Sequence, residues 1–497
     1  MLRLGIHRRV MVAAAIAGLL LSPLPVHAQS SPGVNQYTVT FDTSGLRPRI
    51  AAEVTATGGQ LLMAGWGADM HVRGWAEFIR DLVVEEVDGR RTEARPDSGA
   101  SWTLADTTTR LVRLRYAVDL SFITAPWPYG NEQAGTQQGR DVFVVSKALF
   151  ITTLARGPRQ VRFSVPAGWH VAAPWPVRGS RGTDYVAESD DALLNNSIVV
   201  GPSAPVEIRA GAFTFVLAAL GETAGEQPQL ASALRQIVPE YVQIFPGTPE
   251  TRYVLTVFRA VERDGEAFQS SAAFSEVEPM TEGNRLEWAG TIAHELLHSW
   301  NGARIRPEPY AELQWVSEGF TDYLATRTLA RTGVIDERLF MRRMEQTIAG
   351  YLYFKAAPAF QGVTLKAAGA RKGTHRLGVY NGGWVAAFCL DTDLRSRTAG
   401  ARSIDDVLRA LFERHALQDR PYTESDLRSI LAEIGGAPAA RFMDEHAVGD
   451  AVIPVGECLE RAGYRGFGVG YKAEYYVEPA NPTPFRRWLA GGAADPG

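Results

Sequence analysis

One short stretch near the middle of the chain, His294 to His298 with the sequence His-Glu-Leu-Leu-His, constrains the fold most. Residues four apart lie on one face of a helix, so His294 and His298 can present two imidazole nitrogens to a single metal ion. Glu295 lies about 100° further round such a helix, beside the ion, where a carboxylate can accept a proton from metal-activated water. The alternative interpretation is a surface helix with two coincidental histidines.

A third candidate ligand, Glu318, lies on a second predicted helical stretch, with nineteen residues between it and His298. That distance allows a loop and a return helix. Two histidines and one glutamate leave the fourth position of a tetrahedral zinc ion open for water, as catalytic zinc sites require. Other divalent ions also accept this ligand set, so zinc is inferred from the hydrolase chemistry. Asp322, four residues after Glu318, is either an acceptor for the outer N–H of a histidine ligand or a solvent-facing carboxylate.

The two halves of the chain have different patterns. Residues 29–208 contain short apolar or alternating runs separated by Gly, Pro, Asp and Asn, which is typical of a β-sandwich-like domain. Residues 209–455 begin with strand-like runs and become mostly helical after residue 285, with helices expected near 286–301, 312–330, 336–352, 379–397, 403–415 and 423–434. A helical stretch after Leu230 contains Pro239, which we expect to interrupt it. The fold class is therefore α+β and multidomain, with residues 456–497 as a C-terminal tail.

The N-terminus resembles a secretory signal. Residues 1–28 contain Arg3, Arg8 and Arg9, then an apolar run, then a small-residue cleavage site ending at Ala28. An uncleaved anchor is the alternative. No later segment is long and apolar enough to span a bilayer. We expect a secreted or periplasmic protein without an integral membrane segment after signal removal.

Charge and cysteine content exclude several other classes. A net charge of −4 gives no basic excess for nucleic acid or an anionic membrane. The two cysteines, Cys389 and Cys458, exclude a disulfide scaffold and a cysteine-ligated zinc module. Export permits a bridge between them, whereas the apolar helical surroundings of Cys389 favour a free buried thiol, so both states stay open. The sequence carries no signal for an oligomeric state.

Longer motifs around the proposed ligands resemble the glycyl aminopeptidase family of gluzincin metallopeptidases. The similarity rests on His294 to Asn301, on Arg304-Ile305-Arg306-Pro307 and on Trp315 to Phe320, and it extends over roughly residues 35–463. It implies a β-rich N-terminal domain, a thermolysin-like catalytic domain and Zn²⁺. Many relatives continue into a PDZ domain, which we do not expect here.

The resemblance also implies a role for Tyr380. The segment Tyr380-Asn381-Gly382-Gly383 is similar to a Tyr-x-x-Gly segment of related aminopeptidases, whose tyrosine stabilises the oxyanion. A phenol can donate a hydrogen bond to a tetrahedral intermediate. The alternative is a tyrosine that only packs at the start of a helix.

One element of the family pattern is missing. Relatives carry a glutamate on a Gly-Gly-x-Glu strand that helps to hold the substrate amine. The comparable stretch here runs from Gly265 to Ser271 without a glutamate at the matching place. Glu266 and Glu276 are candidate substitutes, although neither aligns well with it. Arg304 and Arg306 are candidates either for a peptide carboxylate or for structural ion pairs.

These observations predict zinc-dependent hydrolysis of a peptide or protein substrate. Glu295 is the expected general base and Tyr380 the expected oxyanion donor. The expected activity is an aminopeptidase that releases small N-terminal residues such as Gly or Ala. A zinc endopeptidase with altered specificity and a non-catalytic exported binding protein are the alternatives.

Overall fold

The computed structural model describes residues 35–179, 182–248, 251–468 and 474–491. The predicted signal peptide, residues 1–28, lies outside the described residues. A sheet-rich N-terminal region is followed by a mainly helical region, which confirms the expected fold class.

Three sheets form the N-terminal region. Their strands, with one short helix, are β1 (Asn35–Thr40), β2 (Arg49–Ala56), β3 (Gln60–Leu62), β4 (Ile79–Glu86), β5 (Arg91–Thr92), β6 (Ala94–Pro96), β7 (Ser101–Leu104), β8 (Arg110–Val118), β9 (Gly135–Gln138), β10 (Asp141–Val145), β11 (Arg159–Ser164), β12 (His170–Ala172), β13 (Asp184–Ala187), α1 (Asp190–Leu194) and β14 (Ser197–Gly201). The sheet orders are β13-β11-β1-β2-β8-β4-β5, β12-β14-β10-β9 and β3-β7-β6. In β1, Tyr37 and Val39 are buried and their neighbours are more exposed, because successive side chains point to opposite faces.

A five-stranded sheet begins the second region and joins its core to the N-terminal one. The strands are β15 (Val206–Ala210), β16 (Phe213–Ala219), β17 (Thr251–Arg259), β18 (Asp264–Ala267) and β19 (Ser271–Glu276), in the order β15-β16-β17-β19-β18. On β17, Val254 and Phe258 pack into the N-terminal core, whereas Leu255 and Val257 pack against helices. The sheet therefore carries a core on each face, and β18 is its edge strand.

Helices make up most of the remaining chain. They are α2 (Gln227–Ile244), α3 (Arg285–Leu297), α4 (Thr321–Arg331), α5 (Glu337–Ala356), α6 (Leu365–Gly369), α7 (Gly383–Arg397), α8 (Ile404–Arg414), α9 (Glu424–Met443), α10 (Val455–Ala462) and α11 (Pro484–Leu489). The expected break at Pro239 is wrong, since α2 continues through it with buried apolar residues on both sides. Packing of that face offsets the hydrogen bond that the proline removes. Among the described helices, none combines the length and apolar character of a membrane span.

The segment after residue 455 packs onto the helical region. It contains α10, the antiparallel pair β20 (Tyr464–Gly468) and β21 (Tyr475–Pro479), and α11. Cys458 on α10 forms a disulfide with Cys389 on α7, which resolves the alternative left open by the sequence. The division of the chain at residues 208 and 455 stays a prediction.

Candidate metal and active site

Two histidines face each other where α3 ends. His294 lies in the last turn, and the backbone N–H of His298 donates to the carbonyl of His294 at 3.3 Å. The two Nε2 atoms are 3.0 Å apart, and both rings are largely buried. The predicted spacing thus brings both imidazoles to one point beside the helix.

Glu318 completes the group. Its Oε2 atom lies 3.4 Å from Nε2 of His294 and 3.6 Å from Nε2 of His298. A tetrahedral zinc ion with bonds of about 2.0–2.1 Å requires ligand atoms roughly 3.3 Å apart. The three protein atoms already have this spacing, so the residues fit zinc.

Two π-helical turns shape this part of the site. Glu318 lies in the turn Trp315–Phe320, and Tyr380 lies in the turn Leu377–Gly382, which leads into α7. The turns meet through glycines, since a Cβ atom on Gly319 would lie 2.3 Å from the Cα atom of Gly383. Only glycines permit this approach, which brings Tyr380 towards the metal ligands. Such π-bulges are frequent at functional sites.

Asn301 connects two of the three ligands. Its side-chain amide donates to the carbonyl of Val316 at 3.1 Å and to the hydroxyl of Thr321 at 2.9 Å, which holds the turn that carries Glu318. The backbone carbonyl oxygen of Asn301 lies 2.8 Å from Nδ1 of His298. That contact places a proton on Nδ1 and leaves the Nε2 lone pair for the metal.

Asp322 performs the same task for His294. Its Oδ1 atom lies 3.6 Å from Nδ1 of the imidazole, and its Oδ2 atom accepts from Arg343 at 2.5 Å. Burial alone would lower the pKa of His294, but the carboxylates of Asp322 and Glu318 raise it to about 10. Burial raises the pKa of Asp322, and Arg343 and His294 lower it to about 2 overall. Without metal, His294 is therefore the cation of the group.

Glu295 lies beneath the edge strand β18. A Cβ atom on Gly265 would come within 3.2 Å of Oε1 of Glu295. Because strand residues alternate, Glu266 points away from this face of β18. Glu276 is fully buried and bound to Arg263 at 2.7 Å. Neither glutamate therefore takes the place of the missing amine anchor.

Tyr380 lies over the metal group and between two cations. Its ring centre is 6.2 Å from that of His294. The Lys372 ammonium is 5.3 Å and the Arg376 guanidinium 4.6 Å from the Tyr380 ring centre. Burial and the Glu318 carboxylate hold the pKa of Tyr380 well above its usual value, although Arg376 opposes them. The phenol therefore keeps its proton and is available as a donor.

Lys372 is the residue that sequence reasoning missed. Its ammonium donates to Oε1 of Glu318, the oxygen that does not face the histidines. Burial raises the pKa of Glu318, but His294, His298 and Lys372 more than offset it and hold that pKa well below its usual value. No motif marks Lys372, which lies between α6 and the turn of Tyr380.

The two arginines of the Arg-Ile-Arg-Pro motif bind protein groups. Arg304 donates to the hydroxyl of Thr251 at 3.0 Å, and Arg306 pairs with Asp419 at 2.7 Å. The structure thus favours the structural role over the substrate-carboxylate role for both.

Comparison with known proteins identifies relatives of this arrangement. Residues 287–370 match the family model of the M61 glycyl aminopeptidases, which includes both histidines, Glu295 and Glu318 but not Lys372 or Tyr380. No curated protein matches the chain significantly.

The fold is shared by a solved structure. An aminopeptidase N family protein from Idiomarina loihiensis is 18% identical over 87% of this chain and 79% of that chain, with a TM-score of 0.69. A mutant M1 zinc metallopeptidase from Deinococcus radiodurans, bound to a Tyr-Ser-Ala substrate, is 16% identical over 85% of this chain and 94% of that chain, with a TM-score of 0.48.

Proposed function

We propose that this chain, a zinc metallopeptidase whose segment 287–370 matches the family model of the M61 glycyl aminopeptidases, is an exported aminopeptidase that releases small N-terminal residues such as glycine and alanine. The observation that carries the proposal is the convergence of His294, His298 and Glu318, with ligand atoms within 4.8 Å of one another, next to Glu295 and Tyr380.

The residues around the ligands provide the chemistry of hydrolysis. Zinc, when bound, polarises the scissile carbonyl and lowers the pKa of water to about 7. Glu295 accepts the proton of the attacking water and delivers it to the leaving amine. The protonated Tyr380 donates a hydrogen bond to the oxyanion of the tetrahedral intermediate. Asn301 and Asp322 keep the imidazoles in the tautomer and orientation that expose Nε2.

We propose Glu132 as the carboxylate that receives the substrate amine. It is 3% exposed and lies on the turn Asn131–Gln133 of the N-terminal region, which packs against β18 and β19. β18 is the edge strand of its sheet and passes over Glu295, and a carboxylate that reaches round this edge would meet the amine of a bound N-terminal residue. Glu132→Gln is expected to raise KM for free-amine peptides about tenfold or more, because a buried charged hydrogen bond is lost.

The exported location rests on the signal-like N-terminus and on the disulfide between Cys389 and Cys458, a bond that persists in oxidising compartments. N-terminal sequencing of the mature protein tests it. A start near Gln29 supports cleavage after Ala28, whereas an intact Met1 on an extracted membrane protein contradicts it.

Mass spectrometry of products from paired free and N-acetylated peptides tests the activity. Wild type should release single residues from free N-termini only, and Glu295→Gln or a chelator should abolish that release. Glu287→Gln, the same change on the same helix, is the control that should keep activity. Internal cuts in acetylated peptides would instead establish the endopeptidase alternative, which the absence of the family's amine-binding glutamate favours.

A further inference from the structure

A basic loop adjoins the catalytic tyrosine. Residues 370–376, between α6 and the turn Leu377–Gly382, contain Arg371, Lys372 and Arg376 and no acidic residue. We propose that this basic loop is an anion subsite that binds a carboxylate on the leaving-group side of the scissile bond. The carboxylate is an acidic side chain or the C-terminal carboxylate of a short peptide.

The contacts of the loop place it at the site. Lys372 is bound to the metal ligand Glu318 and lies over the Tyr380 ring. Arg376 lies 4.6 Å from the centre of the same ring, and that ring is 6.2 Å from the ring of His294. The basic loop therefore contacts both the metal ligand Glu318 and the ring of Tyr380.

The charges of the loop are unequally neutralised. Lys372 forms an ion pair with Glu318, so the positive charge of its ammonium is already compensated. Arg371 and Arg376 are exposed and, among the residues that the structure describes, neither has a carboxylate partner. The ring of Tyr380 supports the guanidinium plane of Arg376, and a guanidinium binds a carboxylate through two parallel hydrogen bonds.

Distance limits which carboxylate can reach Arg376. Arg376 stacks on the Tyr380 ring, 4.6 Å from its centre, and an extended residue spans at most about 3.3–3.6 Å, so a carboxylate one or two residues from the carbonyl held by Tyr380 is within reach of Arg376. The direction follows from the proposed aminopeptidase activity, on which this inference rests. On the acyl side of the scissile bond, an aminopeptidase substrate has only its N-terminal residue. The basic loop would repel the ammonium of that residue.

Matched peptides test the subsite. The measured quantities are the ratio of kcat/KM for Ala-Glu-amide to that for Ala-Gln-amide, and the same ratio for Ala-Ala over Ala-Ala-amide. Wild type should favour each carboxylate by roughly fivefold, the range of a half-exposed ion pair, and less at about 0.5 M salt. Arg371→Gln with Arg376→Gln should bring the affected ratio close to one, Arg376→Lys should keep part of it, and the exposed Arg342→Gln on α5 should not change it. The ratio that falls identifies the source of the carboxylate.

The outcomes separate this inference from the proposed function. Turnover without a carboxylate preference, or with a preference that the double variant retains, overturns the anion subsite and leaves the aminopeptidase intact. If wild type hydrolyses none of the peptides, the proposed function fails, and calorimetric binding of both peptide pairs, Ala-Glu-amide with Ala-Gln-amide and Ala-Ala with Ala-Ala-amide, to zinc-loaded Glu295→Gln decides the subsite. Equal affinities there, or a difference that survives the double variant, overturn it. A difference that the double variant removes supports it.

Discussion

Two buried charge clusters in the helical region differ in how completely their atoms are paired. In the Asp391 cluster, Oδ2 of Asp391 accepts from Tyr323 at 2.6 Å and Arg327 at 2.9 Å, while Oδ1 accepts from Arg395 at 3.0 Å and from the Ile404 backbone at 3.1 Å. Every lone pair of that carboxylate has a donor. Trp488 of α11 covers the cluster, with the Arg395 guanidinium 3.9 Å from its ring.

The metal group has the opposite arrangement. Nε2 of His294, Nε2 of His298 and Oε2 of Glu318 converge within 3.0–3.6 Å, and at most one proton can be shared among three acceptors. Converging lone pairs repel one another unless a cation lies between them. A cluster whose carboxylate oxygens all have donors stabilises the fold. Converging acceptor atoms with too few protons between them form a cation-binding site instead.

Loss of the general base should give the largest effect and should affect chemistry alone. Glu295→Gln is expected to lower kcat by about 10²–10⁴-fold or more, because the amide cannot accept the proton that the proposed general base takes from water. Zinc content and the unfolding midpoint should stay near wild type, since Glu295 is not a ligand. Elemental analysis, denaturation and peptide assays check this, with Glu287→Gln as the control. A variant that retains activity would remove Glu295 from the mechanism.

Loss of the centre of the Asp391 cluster should affect stability. Asp391→Asn leaves the buried Arg327 and Arg395 to share the single carboxylate of Asp405, and breaking a buried ion pair in this way typically costs about 3–5 kcal/mol. Asp393→Asn removes a surface i,i+4 pair on the same helix and should cost about 0.3–0.5 kcal/mol. Denaturant unfolding measures both. Equal losses would show that the Asp391 cluster is not a stabilising centre.

Loss of the residue that connects two ligands should affect zinc affinity. Asn301→Ala keeps the backbone carbonyl that contacts His298 but removes the side-chain amide that holds the turn of Glu318, so it is expected to weaken zinc binding about 10–100-fold, as for other groups that orient metal ligands. Chelator competition on folded protein measures it. Asn284→Ala, at the opposite end of α3, should lower stability without changing zinc affinity. If both variants bound zinc equally well, the contacts of Asn301 would be structural only.

The same comparison shows what the sequence can predict. His294 and His298 are four residues apart, and so are Asp391 and Arg395, so spacing alone gives both pairs one helix face. The residue types distinguish the two pairs in part, because two histidines with a glutamate form a metal-ligand set. The sequence could not reveal Lys372 or Glu132, since their positions depend on packing between π-helical turns and between the two regions. The sequence could not decide between a disulfide and free thiols either, because the pairing depends on how α10 packs against α7.

The last effect concerns protons. Because Asp322 and Glu318 raise the pKa of His294 to about 10 despite burial, the metal-free site carries a proton at neutral pH, and zinc must displace it. Apparent zinc affinity should therefore rise about tenfold per pH unit between pH 6.5 and 8.5 for one released proton. The charged imidazole also stabilises the metal-free fold; this contribution is complete below the ordinary pKa of 6.5 and is lost as pH rises through about 10.

Asp322→Asn should lower the pKa of His294 and flatten the dependence of zinc affinity on pH. The Asp391 cluster should not respond in this range, because burial raises the pKa of Asp391 but Arg395 and Arg327 bring it to about 2. Chelator competition at three pH values measures the slope, and an unchanged slope in Asp322→Asn would mean that this carboxylate does not hold the proton on His294.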